Sequence, residues 1–519
     1  MGGRDCVRRN RRISWKSFVC ALDAWRYRIK TCIEGYEKSE RMPFANLEGR
    51  RRKNGGAREA PGDLFGFSEV SPSKMLVISG ADLEHTSHPM NRLFNLSPLS
   101  GSNMSVEAID TLVIGAGQSG IAMSEHLTQM NVPHIVLERK RVAERWRSER
   151  WDSLVANGPA WHDRFPNLEF DDVGPDVFPP KERMAQYFED YAKMIKAPVR
   201  TGVEVRHVKR CENRPGFIIA TSEGVIEAQR VVAATGPFQV PQYPNIVPAD
   251  AGIQQLHSSA YKNPGQLEDG AVLVVGGGAS GSQIAEELRA SGRTVYLSIG
   301  EHYRPPRSYR DRDYVWWLGV LGKWDEIKIK PKKKHVAFAV SGYDGGKTMD
   351  FRRLAHSGIT VLGLTKGYEN GVLHIADDLA ANIAEGDEAY FDVLRDADAY
   401  VERNGLDLPP EPEAWNLLDN PACIVQPILQ LDLAKAGVKT ILWATGFKFD
   451  FSWLDVDAFD ENGMPFHKRG ISAETGVYFL GLPELTNRAS SFIYGVWHDA
   501  KYIADHIALQ RSYLAYQKA

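Results

Sequence analysis

An α/β fold with two parallel-sheet domains, the second inserted into the first, is what this sequence predicts. Three observations carry the prediction. The pattern Gly115-Ala116-Gly117-Gln118-Ser119-Gly120 returns as Gly276-Gly277-Gly278-Ala279-Ser280-Gly281. Each copy follows a short β-branched run, at 111–114 and 272–275, and opens a helix-patterned stretch, at 121–130 and 282–291. A strand end Ala234-Thr235-Gly236 recurs as Ala444-Thr445-Gly446, which assigns the closing segment back to the first domain. Strand, glycine turn and helix together form a Rossmann-like dinucleotide cradle. The first Gly permits the turn, the second admits a pyrophosphate to the backbone, and the third lets helix pack on strand. The helix N-terminus then offers its free N–H groups to the phosphates. Two such units imply two dinucleotides and electron traffic between them.

The bulk numbers agree with this reading. A chain of 519 residues is too long for one core. Its 43% apolar and 25% charged composition is that of an ordinary globular protein. A net charge of −3 gives no overall nucleic-acid footprint. No run of eighteen apolar residues argues for a membrane span. None of the five cysteines forms a Cys-x-x-Cys pair, which argues against a disulfide scaffold, a thiol-redox centre and a zinc knuckle. No metal site is expected. A cytoplasmic location is the default, and a homodimer is compatible with the sequence.

In chain order, residues 1–103 lack sustained periodicity and carry the basic run 50–53. They are expected to be a disordered or dispensable extension, with Met104 a candidate natural start. Residues 104–245 hold the first nucleotide unit. Its second strand is 135–138, a hairpin covers 217–228, and the strand 230–236 returns to the sheet. Prolines 237, 241, 244 and 248 mark a linker. Residues 246–430 hold the second unit, with a helical insertion near 378–404. Residues 431–519 complete the first domain and close on a helix from about 497 to 509. The run Lys332-Lys333-Lys334 reads as a solvated charge cluster.

The acid after the second strand discriminates between nucleotides. Glu138 lies eighteen residues after Gly120, where a carboxylate hydrogen-bonds ribose hydroxyls and repels a 2′-phosphate, which suits FAD or NAD. At the matching place in the second unit stand Ser298 and Ile299, followed by Arg304, Arg307 and Arg310. A hydroxyl with arginine forks suits the 2′-phosphate of NADP. Glu301 argues the other way.

These residues resemble the class B flavin-dependent monooxygenases, a family that includes flavin-containing, N-hydroxylating and YUCCA-type enzymes. The resemblance spans roughly 104–510. It rests on both fingerprints, Glu138, the stretch Ala444-Thr445-Gly446-Phe447 and the linker Leu256-His257-Ser258-Ser259-Ala260-Tyr261-Lys262. His257 and Tyr261 match the second half of the linker signature Phe-x-Gly-x-x-x-His-x-x-x-Tyr/Phe. Ala251 and Ile253 depart from its first half.

The resemblance implies FAD in the first unit and NADPH in the second. It further implies O2 and a small apolar or aromatic N-, S- or keto-containing substrate, oxygenated through a C4a-hydroperoxyflavin. It places Arg139, Trp146, Arg147, Thr445 and Gly446 with the cofactors and Asn157 near the reactive flavin edge. His257 becomes either a hinge residue or a proton carrier. The substrate pocket is expected between the domains, near 157–165, 313–320 and 488–497, with Trp316, Trp317 and Phe492 as aromatic lining. A diaphorase-type reductase and a nucleotide-sensing flavoprotein are the alternatives, because fingerprints alone specify electron transfer and not oxygen chemistry.

Overall fold

The computed structural model describes residues 106–327 and 337–517. The expected N-terminal extension 1–103 and the lysine run 332–334 lie outside the described residues.

The first sheet grows from β1 (Glu107–Ile114), whose inner half, Leu112 and Val113, is fully buried. The first fingerprint turns the chain into α1 (Gln118–Gln129), and β2 (His134–Glu138) pairs parallel to β1. After α2 (Lys181–Met194) come β3 (Val199–Thr201), β4 (Val205–Arg210), β5 (Phe217–Thr221) and β6 (Gly224–Ala233). β5 and β6 form the expected hairpin, with Thr221 opposite Gly224. The strand order is β4-β5-β6-β1-β2-β3.

The chain then leaves for a second sheet of five parallel strands. These are β7 (Gln254–His257), β8 (Ala271–Val275), β9 (Val295–Ser298), β10 (Thr360–Leu362) and β11 (Val438–Trp443). Their order is β10-β9-β8-β11-β7. All five residues of β8 are buried, which is why its sequence is continuously apolar and not alternating. The second fingerprint joins β8 to α3 (Ala279–Ala290). The helical insertion is α4 (Leu379–Asn404), held to this domain by buried Asp387, which pairs with Arg304 at 2.5 Å and Arg352 at 2.7 Å.

The return to the first sheet comes late. Leu454–Asp455 pairs with β4, and β12 (Val477–Phe479) runs parallel to the end of β6. The closing helix α5 (Ile493–Ala515) buries Val496, Ile503 and Ile507 in the same core as Ile121 and Leu127 of α1. The second domain is thus inserted into the first.

One strand assignment is corrected. Val438–Trp443 was expected in the first sheet because its Ala-Thr-Gly end repeats 234–236. It lies instead in the second, between β8 and β7. The repeat marks equivalent places in two domains: β6 is to β1 what β11 is to β8.

Candidate active site

Both fingerprints build the same turn for the same steric reason. Gly115 and Gly276 sit at φ +104° and +122°, a region that L-side chains avoid. A Cβ on Gly115 would stand 2.9 Å from the Ala234 carbonyl oxygen, and one on Gly276 2.4 Å from that of Ala444. A Cβ on Gly120 would meet the Gly115 oxygen at 1.8 Å, and one on Gly281 the Gly276 oxygen at 1.9 Å. The helices therefore close on their turns only through glycine.

The first turn opens on a cavity of about 300 Å³ lined by Gly115, Gly117, Gln118, Ser119, Glu138 and Arg139, among others. A side chain added at Gly117 would find no atom within 4 Å, so the missing Cβ leaves a cradle at the backbone. The Ala116 N–H donates to Glu138 Oε2 at 3.0 Å and the Lys140 N–H to Oε1 at 2.9 Å, which fixes the carboxylate at the cavity wall. The Gln118 amide donates to the Ser491 carbonyl, tying the helix start to the segment before α5. This donor set fits a dinucleotide with free ribose hydroxyls, and so fits FAD.

Trp146 lines the cavity and packs against the cores of both domains. Arg147 does not line it; its guanidinium pairs with Glu189 at 2.6 Å. Residues 234–240 line it as well, Thr235 and Gly236 included, and so does Arg150, none of them given a cofactor role from the sequence. The Ala-Thr-Gly repeat was the available signal for Thr235 and Gly236. Arg150 lies 4.6 Å over the Phe238 ring, and burial lowers its pKa to about 10.

The second turn has different surroundings. A Cβ on Gly277 would press on Ile299 at 3.0 Å and Phe351 at 3.4 Å. The Ser298 hydroxyl is buried; it donates to the Gly363 carbonyl at 2.8 Å and accepts from the Thr365 N–H at 3.1 Å. Arg304 is buried against Asp387, with Asp350 at 3.5 Å and the Tyr390 ring beneath it. Arg307 is buried too, donating to the Asn157 carbonyl at 2.6 Å and to Asp313 at 2.5 Å. The expected phosphate fork is thus replaced by internal pairing, because a buried guanidinium needs carboxylates or carbonyls of its own. Gly278 and Ser280 stay half-buried at the start of α3.

Between the domains runs a line of polar ties. Asn157 Oδ1 accepts from Gln283 of α3 at 3.1 Å. Glu287, one turn on, accepts from Ser153 and from Tyr261, both at 2.7 Å. Burial, then Glu287, push the Tyr261 hydroxyl pKa up. The Lys262 ammonium donates to the carbonyls of Ser148 and Arg150.

His257 lies behind this line, inside the second domain. The Gly446 carbonyl, 2.9 Å from Nε2, can only accept, so Nε2 carries the proton and Nδ1 accepts from Ser259. Burial lowers the His257 pKa. Both ring nitrogens are thus occupied by partners of the second domain, Gly446 and Ser259. Thr445 donates to the Gln242 carbonyl, and with Gly446 it follows the end of β11; neither lines the first cavity.

Among the described residues no three His, Cys, Asp or Glu side chains are grouped to hold a metal, and no helix is long and apolar enough to cross a membrane.

Two fingerprint turns, an acid at the first and a tied junction between them define a flavin- and pyridine-nucleotide-dependent oxidoreductase. A family model described as pyridine nucleotide-disulphide oxidoreductase matches residues 112–318. An uncharacterized CzcO-like oxidoreductase of Geobacillus kaustophilus is 31% identical over 404 residues, covering 77% of this chain and 98% of its own. A probable indole-3-pyruvate monooxygenase, YUCCA1 of Arabidopsis thaliana, is 30% identical over 192 residues, 36% of this chain and 46% of its own. A flavin monooxygenase mutant of Stenotrophomonas maltophilia shares the fold at a TM-score of 0.56 and 17% identity, covering 78% of this chain and all of its own. The chain belongs to the CzcO-like oxidoreductases.

Proposed function

We propose that this protein is an NADPH- and O2-dependent flavoprotein monooxygenase acting on a small apolar or aromatic substrate. Bound FAD and NADPH supply hydride transfer and oxygen activation; the chain supplies position and dryness. Glu138 and the 115–120 turn would hold FAD. The 276–281 turn, with Gly278, Ser280 and Gly281, would hold the nicotinamide dinucleotide. NADPH is favoured by one feature, the lack of a carboxylate at the end of β9 where β2 carries Glu138.

The observation that carries this reading is the Asn157–Gln283 hydrogen bond, flanked by Ser153–Glu287 and Arg307–Asn157. It sets a residue of the first domain against the helix of the second fingerprint. In this reading the tied junction would limit water at the reacting centre, which oxygen transfer requires and simple electron transfer does not. Asn157 keeps its place as the candidate active-site residue. His257 becomes a positioning residue that fixes β7 to the end of β11. The monooxygenase activity named for the YUCCA relative supports this reading.

The test is turnover under labelled oxygen with amines, sulfides and aryl keto acids. One of them should accelerate NADPH oxidation and yield labelled product. Stoichiometric hydrogen peroxide with every compound, and label in none, would leave a reductase.

A further inference from the structure

Three segments far apart in sequence bring five rings to one place. The His162 ring lies against Trp324 (centroids 5.3 Å, planes 17° apart) and Tyr494 (5.3 Å, 28°), with Trp161 edge-on at 5.4 Å. Phe492 meets the Trp324 ring edge-on at 5.3 Å. Trp161, Phe492 and Tyr494 are 36%, 44% and 38% exposed, while His162 and Trp324 beneath them are 8% and 6% exposed. Three exposed rings, the rim, thus pack beside two buried ones, the floor.

The floor carries two polar atoms without hydrogen-bond partners among the described residues, His162 Nε2 and Trp324 Nε1. Their characters differ. Asp163 Oδ1 lies 2.8 Å from His162 Nδ1, and a carboxylate only accepts, so the proton sits on Nδ1 and Nε2 is a bare acceptor. Asp163 is itself held by the Gly158 N–H at 3.1 Å, next to Asn157. Trp324 Nε1–H is a bare donor. Buried polar groups are normally paired, and each exception needs a cause. These two complementary exceptions sit on stacked neighbouring rings, an arrangement that fits one ligand presenting a donor to one and an acceptor to the other.

We propose that this patch binds a planar aromatic molecule carrying a lactam- or amide-like N–H and C=O, with the N–H donating to His162 Nε2 and the oxygen accepting from Trp324 Nε1. The rim supplies ring stacking and the floor supplies orientation. The patch adjoins the Asn157 segment, so the proposal rests on the oxygenation reading where it names that reaction's substrate class. Binding itself is measured without turnover, and the two ideas fail separately.

Four nearly isosteric probes separate the terms: oxindole (donor and acceptor), indole (donor), 2-coumaranone (acceptor) and indane (neither). They are titrated against the full flavin-loaded chain without NADPH. Each buried hydrogen bond is worth about tenfold, so oxindole should bind about tenfold tighter than indole or 2-coumaranone and about a hundredfold tighter than indane. His162→Phe keeps the stack and should erase the advantage of oxindole over 2-coumaranone. Trp324→Phe should erase its advantage over indole. Equal affinities for all four probes in the unaltered protein overturn the proposal without recourse to a variant. So does an oxindole preference that survives both substitutions in proteins of unchanged melting temperature.

Discussion

In the first domain the strand after the glycine turn ends on Glu138, whose carboxylate is held at a cavity wall by two backbone N–H groups. In the second the corresponding strand ends on Ser298, whose hydroxyl is turned into the sheet toward Gly363 and Thr365. Upstream of these residues the two turns match to within tenths of an ångström in their closest approaches, 1.8 Å at Gly120 and 1.9 Å at Gly281. Turn geometry is a backbone requirement and repeats wherever a strand feeds a helix this tightly. Nucleotide recognition is a side-chain matter and is free to diverge. The comparison therefore predicts equal structural sensitivity at the glycines and unequal functional sensitivity at the strand ends.

The largest effect should come from Gly120→Ala and Gly281→Ala. A methyl forced against a backbone oxygen cannot be relieved by rotamer change, and the cost should exceed the roughly 1–3 kcal/mol usual for overpacking. Gly120→Ala should purify with less than about a tenth of the normal flavin absorbance, because its turn is the proposed FAD cradle. Gly281→Ala should keep its flavin and lose reduction by NADPH in anaerobic stopped flow. Loss of flavin in both variants would mean that the domains do not fold separately enough for the comparison to hold.

How much of this was legible in the sequence follows the same division. The turns, the flanking strands and the insertion were readable because Gly115, Gly120, Gly276 and Gly281 answer to local sterics. The helical insertion was readable because α4 is long and periodic. What failed depended on partners distant in sequence. Arg304 looked like a phosphate ligand because Asp387, eighty-three residues away, could not be seen beside it, and Arg307 because the Asn157 carbonyl, 150 residues away, could not. Thr445 and Gly446 were given to the wrong sheet because a repeated strand end looks the same in either domain. Trp317 was expected in the pocket and is fully buried against Leu394 and Ala397 of α4; the aromatic rim is built around Trp324 instead.

A middle-sized effect probes whether the two domains are equally vulnerable to acid. His126 of α1 and His302 beyond β9 are both buried, and burial lowers each pKa from 6.5 to about 4. The folded state thus favours neutral imidazole in both domains. The unfolded chain binds the extra protons, so the stabilisation is complete above pH 6.5 and falls as pH drops toward 4. Each histidine should cost about 2 kcal/mol between pH 6.5 and about pH 5. His302→Leu should make the acid-induced loss of stability shallower by about that amount. An unchanged pH slope in that variant would place the acid sensitivity in the first domain alone.

The smallest effects sharpen the comparison most, because they fall on the two strand ends themselves. Glu138→Gln keeps the shape and one acceptor but loses the charge. FAD should dissociate about tenfold more readily, the difference between a charge-assisted and a neutral hydrogen bond to ribose. The change is read by fluorescence as flavin is released on dilution. Ser298→Ala should instead lower stability by about 1 kcal/mol, since Thr365 loses an acceptor inside the sheet. Its ratio of kcat/KM for NADPH over NADH should stay within about twofold of the parent's, because a hydroxyl already bonded to Gly363 has no free donor to offer a ribose phosphate. A fall of fivefold or more in that ratio would show that Ser298 swings out to meet the nucleotide. The second strand end would then be a recognition site like the first, and the asymmetry between the two domains would vanish.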